Sequence, residues 1–337
     1  AHLESYGRLR DVRVTVLCGG IGGARFLLGL RTLGHDVTAV ANTGDDLTVL
    51  GLRISPDVDS IVYTLGGGIS TERGWGREGE TFRVRDELTA YAESVAAASA
   101  LVPSWFGLGD LDLATHLIRS RWLADGVALS TATRWLCERW RTGVTVIPAT
   151  DDSVETHVHL NDATTVHFQE WWVRFRAQVP ATHFEVRGAA AATPAPGVLE
   201  AIAEADVVLF APSNPVVSIG VILEVPAIAD AVRSTSAPVV GLSPIIGGAA
   251  VRGMADACLS AIGVSTSAEA VARHYGCRRD GGLIDGWLVD DVDEAAVGVL
   301  REAGISCRAV PLLMHDVDAT AAMARAALDL ALGGARD

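Results

Sequence analysis

Short runs of alternating or continuous β-branched and aliphatic residues recur along the chain, separated by longer stretches whose apolar positions repeat every three or four residues. The first pattern predicts strands over 12–18, 37–42, 144–147, 206–211 and 238–241, with a final pair near 284–289 and 306–310. The second predicts helices over 23–33, 57–65, 81–94, 111–124, 131–141 and 319–332. Strands alternating with helices indicate an α/β, Rossmann-like fold, a mostly parallel sheet with helices on both faces. Between residues 81 and 141 the strand signal almost disappears, which predicts a helical insertion (81–141) lidding a site on a core built from 1–80 and 142–335. Residues 157–186 alternate like a hairpin or short meander, with a turn at Asn161-Asp162. The Ala- and Pro-rich stretch 188–197 is the best linker candidate, and no repeat at solenoid periods is visible.

Composition narrows the class. The chain has 337 residues, 49% of them hydrophobic, enough to bury a substantial core. Its net charge of −14, with no arginine block to overcome it, argues against nucleic acid and anionic membrane as partners. No signal-peptide pattern opens the chain and no apolar run approaches a membrane span. Five scattered cysteines without C-x-x-C spacing indicate neither a disulfide frame nor a zinc site and suit a reducing cytoplasm. Lysine is absent, which excludes Schiff-base chemistry.

The strand at 12–18 runs into Gly19-Gly20-Ile21-Gly22-Gly23 and then a helical run. Such a turn aims backbone N–H groups and the positive end of a helix at one point, which suits a phosphate. A P-loop is excluded because it requires a lysine. The dinucleotide fingerprint starts at Gly20 and Gly22 but meets Arg25 at its third glycine, and Asn42 stands where a ribose-binding acid is expected. The loop therefore reads as a phosphate site, and against a nicotinamide oxidoreductase.

Three further loops follow strand ends. Asn42-Thr-Gly-Asp45-Asp46, with Ser55-Pro-Asp57-Val-Asp59 after it, supplies two carboxylate pairs able to hold a hard cation such as Mg²⁺ beside phosphate oxygens. Isolated acids there would more often cap a helix, but clustering behind a strand tip favours the ligand reading. The loops around Ser213-Asn214 and Ser243-Pro-Ile-Ile-Gly-Gly248 repeat the design. His157, His159 and His167 lie on alternating strand positions and read as a hydrogen-bonded face ahead of a metal site, since no acid or cysteine accompanies them at ligand spacing. Trp171-Trp172 reads as packing. Trp75, Trp105 and Phe106 lie on or near glycine-rich loops, where an aromatic either stacks a flat ring or pins its own loop. No spacing supports a nucleophilic triad.

The set VTVLCGGIGGARFL, NTGDD, ISPDVDS, RGWG, LGDLDLATH, HFQEWWVRFRAQVP, APSNPVVSIG and SPIIGG, spread over about 12–330, closely resembles the phospholactate transferase family of deazaflavin coenzyme F420 biosynthesis, with wording most like its actinobacterial branch. The resemblance implies a Mg²⁺-dependent transferase of substituted phosphate groups. A guanosine diphosphate-linked three-carbon acid, enolpyruvyl in that branch and lactyl in the archaeal type, would pass its phosphorylated unit to the ribityl hydroxyl of the deazaflavin Fo, and GMP would leave. On that reading Gly20, Gly22, Gly23 and Arg25 hold the diphosphate, Ser213 and Asn214 contact the guanosine side, and Asp57 stands with these binding residues. Asp45 or Asp46 with Asp59 hold Mg²⁺, and Asp59, with Asp46, is the catalytic pair that orients or deprotonates the hydroxyl. The chain departs from the family where many members read LGDRD after a charged residue: Leu111 stands at the arginine and Gly107 at the charged position, and Arg73 or Arg77 is expected to compensate. The large apolar fraction and the HFQEWW segment suggest a homodimer. The rival implied by the same resemblance is a CofD-like regulator that binds nucleotide sugars without transfer.

Overall fold

The computed structural model describes residues 12–94 and 105–333. Seven strands form the central sheet: β1 (Arg13–Cys18), β2 (Asp36–Ala41), β3 (Thr145–Pro148), β4 (Val207–Phe210), β5 (Val239–Leu242), β6 (Gly286–Val289) and β7 (Ser306–Ala309). All pair in parallel, in the order β3-β2-β1-β4-β5-β6-β7. Parallel strands covered on both faces should be apolar throughout, and β4, β5 and β6 are buried at every position. Side chains still alternate between the faces. Val14, Val16 and Cys18 of β1 join one core with Val37 and Ala39, while Leu17 and Val40 join the other with Phe210 and Trp287.

Each strand predicted for this sheet is present within a residue or two, as are the predicted helices, except that the first starts three residues early, at Gly20. Helices α1 (Gly20–Arg31) and α2 (Pro56–Leu65) pack on one face together with the C-terminal helix Val317–Gly333. Gly29 makes the last contact possible, since a Cβ there would lie 2.6 Å from Thr320 Cβ. Among the described residues between 81 and 141 there are only helices: α3 (Arg83–Ser94), α4 (Asp110–Ala124) and α5 (Leu129–Trp140). α5 lies on α2 and β3, and α4 on a short hairpin, Leu47–Val49 with Leu52–Ile54.

The meander is also present, as a three-stranded antiparallel sheet in the order Thr165–His167, Glu155–Leu160, Ala181–Arg187. Asp162 shapes its turn by accepting from the Thr164 amide. The expected linker at 188–197 is instead part of the core. Ala189, Ala192 and Ala195 are buried, and the Ala195 amide donates to Ala149 O at 3.0 Å. Its small, aperiodic composition resembles a linker although its alanine methyls are buried.

Because the sheet is parallel, the loops after β1, β2, β4 and β5 emerge on one edge. The chain starts in the middle at β1, runs outward to β3, then returns to β4 on the other side. The reversal between β1 and β4 opens a crevice at the carboxyl ends of these strands, where ligands of open α/β sheets bind.

Candidate active site: an acidic crevice where the strand order reverses

At the end of β1 the chain turns at once into α1. Gly20 has φ +61°, a conformation that favours glycine. A Cβ on Gly22 would lie 2.7 Å from the Pro212 carbonyl, and one on Gly23 2.8 Å from Cys18 Cβ, so these glycines let α1 close on the loop after β4. Ser213 ties the two loops. Its hydroxyl donates to Gly19 O at 2.7 Å and accepts from the Gly19 amide at 3.0 Å. Asn214 Oδ1 accepts from the amides of Val216 and Val217 at 2.9 and 3.2 Å. The Gly20 amide donates to the Asp57 carboxylate, which α2 presents from opposite. Gly20, Ser213 and Asn214, expected on the diphosphate and guanosine sides, thus lie together on one side of the crevice, where each also holds a protein group. Arg25 is exposed on α1 beside Arg252, and neither has an acidic partner within ion-pair distance among the described residues.

The four acids of the two loops fall into different environments. Asp45 and Asp57 are joined by one amide: Asn42 Nδ2 lies 3.1 Å from Asp45 Oδ1, 2.9 Å from Asp57 Oδ2 and 3.2 Å from Val217 O. Gln169 Nε2 donates to the other oxygen of Asp45 at 2.8 Å. Neither carboxylate has an arginine or histidine in ion-pair range among the described residues. Burial pushes both acids above the usual carboxylate range, and Asp57 raises Asp45 further. Asp46 turns away to the Ser55 hydroxyl at 2.7 Å and to Arg53 at 3.4 Å. Burial still dominates and lifts it to about 7.

Asp59 is held differently again. Arg119, fully buried on α4, grips it with both terminal nitrogens, Nη1 donating to Oδ2 at 3.0 Å and Nη2 to Oδ1. His116 Nδ1 lies 3.3 Å from Arg119 Nη1. Arginine only donates, so Nδ1 accepts and the ring proton sits on Nε2, 3.3 Å from Asp112 Oδ1. Tyr63 donates its hydroxyl to the same oxygen at 2.7 Å. Of the acids expected to hold the metal, Asp59 is engaged by Arg119 and Asp46 by Ser55 and Arg53 through Oδ2, while Asp46 Oδ1 is buried without a hydrogen-bond partner. No three acids, histidines or cysteines form a metal cage among the described residues.

Other expectations resolve similarly. His157 and His159 pair with Glu155 and Glu185, a hydrogen-bonded face as expected. Trp105 and Phe106 pin their loop against Leu47, Val49 and Ile54, whereas Trp75 is 46% exposed. Trp171 is buried, as its packing role required, and Trp172 is exposed. Arg77 donates to Leu111 O at 2.8 Å and stacks over Trp140, with its ring centroid 4.9 Å away, so it anchors the start of α4. Asn42, Arg119, His116 and Gln169 were not anticipated as site residues. The buried spacing Asp112, His116, Arg119 along one helix face was the available signal for two of them.

A strand-order reversal carrying a glycine turn and paired buried carboxylates defines a Rossmann-like α/β protein with an acidic crevice at the switch point of its sheet. Residues 14–325 match the family described as 2-phospho-L-lactate transferase CofD, and the chain belongs to that family. It is similar to the phosphoenolpyruvate transferase of Streptomyces coelicolor, 57% identical over 325 residues and covering 95% of this chain and 98% of that one. The phosphoenolpyruvate transferase of Mycolicibacterium smegmatis is 52% identical over 336 residues, covering 95% and 99%. A crystal structure of a UPF0052-family protein from Bacillus halodurans superposes with a TM-score of 0.62 at 17% identity, covering 95% of this chain and 99% of that one, a likeness of fold.

Proposed function

We propose that this chain is a phosphoenolpyruvate transferase: it moves the phosphoenolpyruvyl unit of a guanosine diphosphate-linked donor to the ribityl hydroxyl of the deazaflavin Fo, releasing GMP and forming the dehydro precursor of coenzyme F420. The observation that carries the reading is the pair Asp45–Asp57, two buried carboxylates at the strand-order reversal held only by neutral amides. Two like charges without a counter-charge are costly in low dielectric, and a divalent cation relieves that cost. The pair fits Mg²⁺, which commonly takes one or two carboxylates and completes its shell with substrate phosphates and water. When bound, Mg²⁺ would screen the diphosphate and stabilise departing GMP.

The chain's own residues have distinct parts in this reading. Arg25 and Arg252 offer charge to the diphosphate from the open end of the crevice, and the Gly22–Gly23 turn lets the backbone approach it. The loop carrying Ser213 and Asn214 borders the nucleotide. Asp59, fixed by Arg119, faces the acceptor side and orients the attacking hydroxyl for in-line displacement at phosphorus. The helical insertion, which supplies Arg119, would close over that acceptor. The protein is proposed to work in the cytoplasm as a homodimer. The relatives' shared name supports transfer over nucleotide-sugar regulation.

Mass spectrometry of reactions with Fo, Mg²⁺ and either donor tests this. The enolpyruvyl donor should give an adduct one pair of hydrogens lighter than the phospholactyl adduct, and Asp57→Asn should abolish it. No product from either donor would overturn the proposal.

A further inference from the structure

The run from His167 to Trp171 leaves the appended three-stranded sheet and returns to the acidic crevice. Its geometry serves one side chain. The Gln169 backbone N–H donates to His167 Nδ1 at 3.1 Å, so that nitrogen is unprotonated and the ring proton lies on Nε2. That Nε2–H faces the Asp46 carbonyl at 3.2 Å. A single imidazole therefore fastens the run to the backbone of the Asp45-Asp46 loop. Two residues beyond Gln169, Trp171 is fully buried, packs against Phe168 and Phe184, and donates its indole N–H to Val179 O at 2.7 Å. Between these anchors Gln169, itself buried, reaches Asp45 Oδ2. A single π-helical turn, Glu170–Arg174, starts immediately after it, a local irregularity that often accompanies functional positions.

We propose that Gln169 is a positioning residue for cation binding, through which the appended sheet sets the orientation of Asp45. Gln169 and Asn42 each engage one oxygen of that carboxylate, which fixes its plane and leaves a lone pair on each oxygen for an incoming ion. Groups that hold a metal ligand from behind contribute about 10- to 100-fold to metal affinity. This inference rests on the assignment of Asp45 and Asp57 to the cation.

Binding of Mn²⁺ alone, followed by electron paramagnetic resonance, tests it in the native protein, Gln169→Met and Gln169→Glu. Methionine keeps the volume and removes the donor, so Mn²⁺ should bind about 10-fold more weakly or worse. Glutamate adds a third carboxylate. It should restore tight binding and give a larger rise in Tm on adding Mn²⁺ than the native chain shows. Equal affinity of the native and methionine proteins would overturn the inference, as would a glutamate variant that binds no better than methionine. If the methionine variant unfolds, the glutamate variant decides alone: a Tm unmoved by Mn²⁺ refutes the role. Failure of the native protein to bind Mn²⁺ would instead remove the cation assignment beneath it.

Discussion

Asp57 and Asp59 are two residues apart in the first turn of α2, yet their surroundings are opposite. Asp59 meets a buried guanidinium that matches both of its oxygens. Asp57 meets two neutral donors and a second acid, Asp45. The first carboxylate carries its counter-charge within the fold, and the second, on the function proposed above, takes one from a bound cation. Adjacent letters in one motif thus do different work because helix geometry turns them toward different partners.

Neutralising the externally balanced pair should have the largest effect on activity and the mildest on folding. Asp57→Asn and Asp45→Asn are each expected to lower kcat by at least about 100-fold while the metal-free Tm stays level or rises, since one member of a like-charged pair is gone. Steady-state kinetics and calorimetry check both halves. Arg119→Met should do the reverse to stability. Leaving Asp59 buried without its cation should cost about 3–5 kcal/mol in urea unfolding, and adding Asp59→Asn should recover much of it. An Arg119→Met protein as stable as the native one would dissolve the contrast.

Smaller effects sharpen the picture around α4. Tyr63→Phe removes a hydrogen bond to a charged, buried acceptor and should cost about 1.5–3 kcal/mol. Asp112 is held below the usual carboxylate range because its bonds from His116 and Tyr63 outweigh burial. A depressed folded-state pKa stabilises above the unfolded value and is lost as pH falls through the folded one. The stability cost of Asp112→Asn should accordingly be full at pH 7 and shrink steadily on acidification below about pH 4.

The fold was legible because its signals are local. Continuous apolar runs marked β4 to β6, and glycines crowded by Pro212 and Cys18 marked the β1–α1 turn. The loops that build the crevice were legible for the same reason, each following a predicted strand. The division of labour among the acids was not. Asp59 finds its partner 60 positions later and Asp45 finds Gln169 124 positions later, and no local pattern encodes either meeting. On α4 the usual burial is inverted: Asp112, His116 and Arg119 are inside while Leu117 and Ile118 are exposed, so apolar spacing does not mark the buried face. The false linker at 188–197 had the opposite cause, since alanine methyls bury well without any periodic signature.

Titration of Mg²⁺ into Asp57→Asn and Asp59→Asn by isothermal calorimetry tests the central distinction most directly. Asp57→Asn should lose the ion and Asp59→Asn should keep it with near-native affinity. Loss of the ion in Asp59→Asn with retention in Asp57→Asn would contradict it.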